Sequence, residues 1–211
     1  MSSAYHLLEK VQFSDEATFY VSGAVNCPVV GIWGSDNPHA YVDHQRDSPK
    51  VNVFCAISTQ KVYGPFFFAE ETVTGMTYLD MLQLWLMPQL QNIPTFIFQQ
   101  DGKSRPLPLE VRQYLNSVTR TLDRACAWKW PTADAMAPEV PWHYAMWFFL
   151  WGYVKDRLFV PTLPRDLDGQ RARIIATVKN IDAPMLTRVW QELAYRIDVC
   201  RAARGAHIEK L

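Results

Sequence analysis

Apolar and polar positions alternate through the first third of the chain, as strands with one buried face require. Val11-Gln12-Phe13-Ser14-Asp15 and Thr18-Phe19-Tyr20-Val21 are short strand candidates joined at Glu16-Ala17, and Gly23 to Asn26 supplies the turn that follows. Lys50 to Ile57 reads as a third strand and Val62 to Ala69 as a fourth, with Gly64-Pro65 as a bend or bulge within it. The period then changes. Tyr78, Leu79, Leu82, Trp85 and Leu86 recur at helical spacing between Thr77 and Leu86, and Pro88 falls near the end. Pro94 to Asp101 is a short β-rich run that places Asp101 at a strand's carboxyl end. Leu107 to Leu115 is predicted helical, with Pro108 in its first turn and Val111 and Leu115 on one face; Tyr144 to Lys155 is another helix. Two amphipathic helices close the chain. Leu167 to Ile181 aligns Ile174, Val178 and Ile181, and Pro184 to Cys200 turns Leu186, Val189, Trp190, Leu193 and Ile197 inward. Ala125 to Trp142 follows neither period and reads as a loop, with a short strand around Cys126 to Trp128 as the alternative. Strands followed by helices on a mixed sheet indicate an α/β layer domain, although periodicity alone does not say which.

Composition narrows the class. A chain of 211 residues, 49% hydrophobic and 13% aromatic, is long enough for one sizeable core and too apolar for a disordered segment. Twenty-one basic residues balance twenty-one acidic ones. That balance gives no support to autonomous DNA binding, since phosphate neutralisation usually demands a basic surface. The four cysteines, Cys27, Cys55, Cys126 and Cys200, form no zinc-ligand pattern and imply no disulfide scaffold, so a reducing compartment is expected. Met1 to Leu8 carries no secretory signature, and Tyr144 to Val154, the most apolar stretch, is too short to span a membrane.

Several blocks, in order along the chain, carry a resemblance. Phe13-Ser14-Asp15-Glu16-Ala17-Thr18-Phe19 comes first, then Trp33 to His39 and Ser48 to Val53. Gly64 to Phe68, Thr77 to Leu82 and Gln99-Gln100-Asp101-Gly102 follow. Phe148-Phe149-Leu150-Trp151-Gly152-Tyr153-Val154-Lys155-Asp156, then Val189 to Glu192, Tyr195 to Arg201 and Gly205 to Glu209, complete the set. Together they resemble the catalytic domain of Tc1/mariner-type DNA transposases, insect-type branch, in the DDE superfamily of RNase H-like nucleases. The resemblance implies an α/β fold: an RNase H-like mixed central sheet flanked by helices, with a C-terminal helical extension. The expected organisation is a single domain, 1–211, with a core over about 5–160 and the extension over about 161–211.

The same resemblance implies metal-dependent DNA cleavage and strand transfer at transposon ends. Carboxylates at the edge of the sheet hold Mg2+ or Mn2+, and hard oxygen donors suit those hard cations. Asp15 and Asp101 match the first two acids and are the expected catalytic and metal-binding residues. Lys103 and Arg105 are candidate phosphate contacts. Glu16 reads as a solvated neighbour of the site, Asp36 and Asp43 as loop residues, and Trp33, Trp85, Trp151 and Trp190 as packing residues.

The departures from the family matter as much. The acid that completes the family's site stands just before the Phe-Phe-Leu-Trp-Gly run, and that position here is Trp147. An indole cannot ligate a hard divalent cation. Glu139 and Asp134 are weak substitutes, with Asp156 more than two turns along the helix. After Asp101 the family continues to a histidine, where this chain has Pro106. The family's N-terminal helix-turn-helix modules have no counterpart here, since only about a dozen residues precede the Asp15 block. Impaired or absent chemistry is therefore expected, with two alternatives open. One is an active Mg2+- or Mn2+-dependent endonuclease using a substitute acid. The other is a domesticated, non-enzymatic nucleic-acid-associated or interaction module. The expected partners are DNA, held weakly and without sequence preference, and a second copy of the chain, with no membrane. A nuclear location follows from the resemblance alone.

Overall fold

The computed structural model describes residues 8–21, 48–93, 96–100, 108–118 and 149–202. Four strands form one sheet: β1 (Val11–Tyr20), β2 (Lys50–Ile57), β3 (Val62–Phe67) and β4 (Ile97–Gln100), in the order β3-β2-β1-β4. β2 runs antiparallel to both β1 and β3, whereas β4 lies parallel to β1, so the sheet is mixed. β1 is one continuous strand where the pattern predicts two short ones. Antiparallel pairing with β2 runs without a break from Phe13↔Ile57 to Tyr20↔Lys50 and carries Glu16 and Ala17 through the polar stretch. The polar side chains do not end the strand because they find partners: Ser14 Oγ donates to Gln99 O at 3.1 Å and Thr18 Oγ1 to Asn52 Oδ1 at 2.8 Å.

The expected irregularity at Gly64-Pro65 is present. Between the pairs Phe54↔Phe66 and Ala56↔Tyr63 the register shifts, with Cys55 opposite Gly64 and Pro65, which is a β-bulge. Gly64 has φ +133°, and a Cβ there would meet Cys55 Sγ at 2.9 Å and Phe54 O at 3.1 Å, so glycine suits both the backbone and the space. β3 ends at Phe67, two residues short of the predicted limit.

Helices cover both faces. On one lie α1 (Gly75–Met81), α2 (Met87–Leu90) and α3 (Leu109–Val118). Thr74 and Thr77 form a capping box that starts α1 before the predicted Thr77. Between α1 and α2 a π-helical turn, Leu82–Leu86, carries the chain to Pro88, and the N–H of Met87 reaches back to Leu82 O. Pro88 lacks an N–H, and the widened turn keeps the helix running past it rather than ending it. Tyr78, Met81, Leu82, Leu86, Leu90, Val111 and Leu115 pack with Phe54 and Phe98 of the sheet.

On the other face lie α4 (Gly152–Leu158), which continues a π-helical turn over residues 149–151, α5 (Leu167–Lys179) and α6 (Ala183–Ala202). Leu186, Trp190, Leu193 and Ile197 of α6 form the predicted inward stripe, while Val189 is only partly buried. Ile174 and Val178 of α5 join them against Val11, Phe13, Phe19, Val53 and Ile57. Asp166 caps α5 by accepting from Gly169 N at 2.7 Å. Arg173 of α5 donates to the carbonyls of Leu158, Val160 and Thr162 at 2.9, 3.0 and 2.7 Å, tying the segment after α4 to the next helix. The predicted turn at Gly23 to Asn26 and the loop from Ala125 to Trp142 lie outside the described residues.

Candidate functional site

Strand alternation decides where the acids of β1 go. Val11, Phe13, Ala17 and Phe19 face the α4–α6 side, and Asp15 shares their parity. A carboxylate therefore sits on an apolar face, 3% exposed, where an unpaired charge would be costly. It is not unpaired. Asp15 Oδ1 accepts the N–H of Glu16 at 2.8 Å and Oδ2 accepts the indole N–H of Trp151 at 3.0 Å. Trp151 closes the π-helical turn ahead of α4, is 2% exposed, and meets Phe19 edge-on at 5.8 Å and 66°. Cys55 lies across the strand pair from Asp15. Its thiol is a free, buried one whose pKa is pushed up strongly, by loss of water and then by the charge of Asp15, so it stays neutral beside the carboxylate.

Glu16 has the opposite parity. Together with Ser14 it lies near Tyr78 of α1, whose phenol is raised well above its usual 10.0 by burial first and by the charge of Glu16 next. The pleat of the strand thus separates Glu16 from Asp15, and Glu16 is half-buried beside Tyr78 rather than a solvated neighbour.

β4 runs parallel beside β1, with Phe13↔Gln99 and Ser14↔Gln100 as the last described pairs. The residue that follows Gln100 in sequence is Asp101, as Asp15 follows Ser14. Asp101, Lys103, Arg105, Asp134, Glu139 and Trp147 lie outside the described residues, as do Trp33, Asp36, Asp43 and Pro106. Asp156 is described, and it does not face the core. It is exposed on α4, whereas Trp151, Val154 and Leu158 of the same helical run are buried. Among the described residues, no group of three or more His, Cys, Asp or Glu gathers in one place. Nor is any described helix long and apolar enough to cross a membrane.

Trp85 and Trp190 pack as expected, Trp85 partly buried against Phe54 and Phe66 and Trp190 fully buried against Phe13. For Trp151 the packing reading is incomplete, because it is also the donor to Asp15. One signal was available: an indole carries a single N–H that needs an acceptor when buried, and the block containing Trp151 belongs beside the acids in the resemblance.

The fold has known counterparts. No family model and no curated protein matches this sequence. Solved structures do. The Mos1 transposase paired-end complex with left transposon end aligns at TM-score 0.67 and 16% identity over 98% of this chain and 60% of that one. The fold is that of the Mos1 catalytic domain. The Mos1 strand transfer complex gives TM-score 0.65 and 18% identity over 96% of this chain and 57% of that one. The isolated catalytic domain of the Mos1 mariner transposase gives 0.61 and 17%, over 98% of this chain and 89% of that one. The mixed sheet flanked by helices, with its C-terminal helical extension, is thus the RNase H-like fold of Mos1. The chain spans 57% to 60% of the Mos1 chains in those two DNA complexes.

Proposed function

We propose that this chain is a Tc1/mariner-type transposase catalytic domain that keeps a weak divalent-cation site at Asp15 and Asp101 and has lost efficient DNA cleavage and strand transfer. The supporting observation is Asp15 itself, a fixed and buried carboxylate on the central strand of a Mos1-like sheet, beside the parallel strand that Asp101 follows. Its chemistry fits Mg2+ or Mn2+. The donor is a hard carboxylate oxygen, the ligand type that such hard cations take. An ion held there would supply Lewis-acid polarisation of a phosphodiester. Asp15 would bind the ion, and the N–H groups of Glu16 and Trp151 would hold the carboxylate in place.

Trp147 accounts for the loss, since it stands where the family places an acid and an indole offers no ligand. DNA is the substrate class. Its grip is weak and not sequence-specific, in keeping with a net charge of zero, and a nuclear location goes with that substrate. A nicking assay on supercoiled plasmid with Mn2+ tests the reading. The native chain is expected to nick no faster than Asp15→Ala. Trp147→Asp is expected to gain on the order of 10²-fold, the scale on which a single electrostatic contact to the transition state acts. Adding Asp15→Ala to that variant should abolish the gain. Native nicking that Asp15→Ala removes would instead establish an active nuclease with a substitute acid, and a silent Trp147→Asp in a folded chain would favour a non-enzymatic module.

A further inference from the structure

The indole of Trp151 reaches Asp15 across 136 residues of sequence, from the turn that leads into α4. Three observations make it a rigid donor. Trp151 is almost wholly buried, its ring is wedged edge-on against Phe19, and it leads into α4, whose Val154 and Leu158 are themselves core residues. The Glu16 N–H, by contrast, belongs to the same strand as Asp15 and moves with it. That local bond leaves the terminal torsion of the carboxylate, which is broad, to be set from elsewhere. A second donor on the other oxygen, delivered from a separate helix, fixes the plane.

We propose that Trp151 is a positioning residue for Asp15: its N–H sets the orientation of the carboxylate that receives a divalent cation. The inference rests on the metal-site reading above. Hydrogen bonds behind a metal-ligating group commonly govern affinity by about 10- to 100-fold, because they fix the ligand before the ion arrives. Trp190 is an internal control. It is equally buried on the same face, packs on Phe13 at 5.8 Å, and spends its N–H on Leu8 O at 3.2 Å rather than on an acid.

Calorimetric titration of the full chain with MnCl2 separates the possibilities. Asp15→Ala is expected to abolish binding and Trp151→Phe to weaken it by about 10- to 100-fold, while Trp190→Phe leaves it within about twofold, as for independent sites. Equal losses in the two tryptophan variants would overturn the inference, as would unchanged affinity in a folded Trp151→Phe. An absence of binding in the native chain would sink the metal-site reading itself. Should Trp151→Phe fail to fold, the unmutated chain serves. In nitrogen-edited spectra under MgCl2 titration, the Trp151 indole N–H is expected to shift with saturation and the Trp190 N–H to stay. A Trp151 signal that stays still while Mg2+ binds would equally overturn the inference.

Discussion

On one face of β1, Asp15 sits among Phe13, Ala17 and Phe19, on the side covered by α4 to α6; on the other, Gln12, Ser14 and Glu16 share the side covered by α1. The apolar side holds the charge, and both of its oxygens accept N–H groups. The more polar side is less evenly served: Gln12 Oε1 and Gln100 Oε1 are buried without a hydrogen-bond partner among the described residues, while the Tyr78 hydroxyl lies beside Glu16 and Ser14. The difference follows from what each group costs when dry. A lone buried charge costs far more than a lone buried amide oxygen, so the N–H groups held on Asp15 matter more to the fold than those missing from Gln12 and Gln100. That contrast is what a retained binding site would show on one side and ordinary polar packing on the other.

The largest effect should come from removing the donor together with its ring. Trp151→Ala deletes a buried indole, its edge contact with Phe19 and its bond to Asp15, and is expected to cost about 3–5 kcal/mol in chemical denaturation. Asp15→Ala keeps the ring but strands two N–H groups, for about 1–3 kcal/mol. Because the two residues share one bond, the double variant should lose less than the sum of the singles, by about 0.5–3 kcal/mol. Strict additivity would show that the 3.0 Å contact carries no coupling, and the two faces of β1 would then differ in composition alone.

How much of this was legible in the sequence depends on how local the cause is. The inward stripe of α6 was, because Leu186, Trp190, Leu193 and Ile197 recur at helical spacing whatever they pack against. So was the irregularity at Gly64-Pro65, which two residue types announce. The continuity of β1 was not. Ser14-Asp15-Glu16 looks like a break until the partners on β4, α1 and α4 are known, and every one of them is distant in sequence. The π-helical turns at Leu82–Leu86 and 149–151 leave no periodic trace for the same reason. Asp15 was singled out through its motif; that Trp151 and Cys55 would lie beside it was not legible. Hydrophobic period assigns a face to a residue but not the group it meets there.

The smallest effect concerns the less satisfied side. Tyr78→Phe removes a buried hydroxyl that lies beside Glu16 and Ser14 and leaves the ring edge-on against Phe54, so at neutral pH it should cost about 1 kcal/mol. Its signature is in alkali. Burial raises the folded phenol above its usual 10.0, so between those values the unfolded chain has released a proton that the folded chain keeps. Stability is then fully present below about pH 10 and declines as pH rises further. Cys55, also raised, adds a decline of the same sign beginning near its usual 9.0. Denaturation midpoints measured from pH 7 to 11 should fall for the native chain, fall less for Tyr78→Phe, and flatten further when Cys55→Ala is added. If Tyr78→Phe followed the native curve throughout, the phenol would be ionising as freely as in water. The α1 side of the sheet would then be wet, and the contrast between the two faces would lie in access to solvent rather than in how buried polarity is paired.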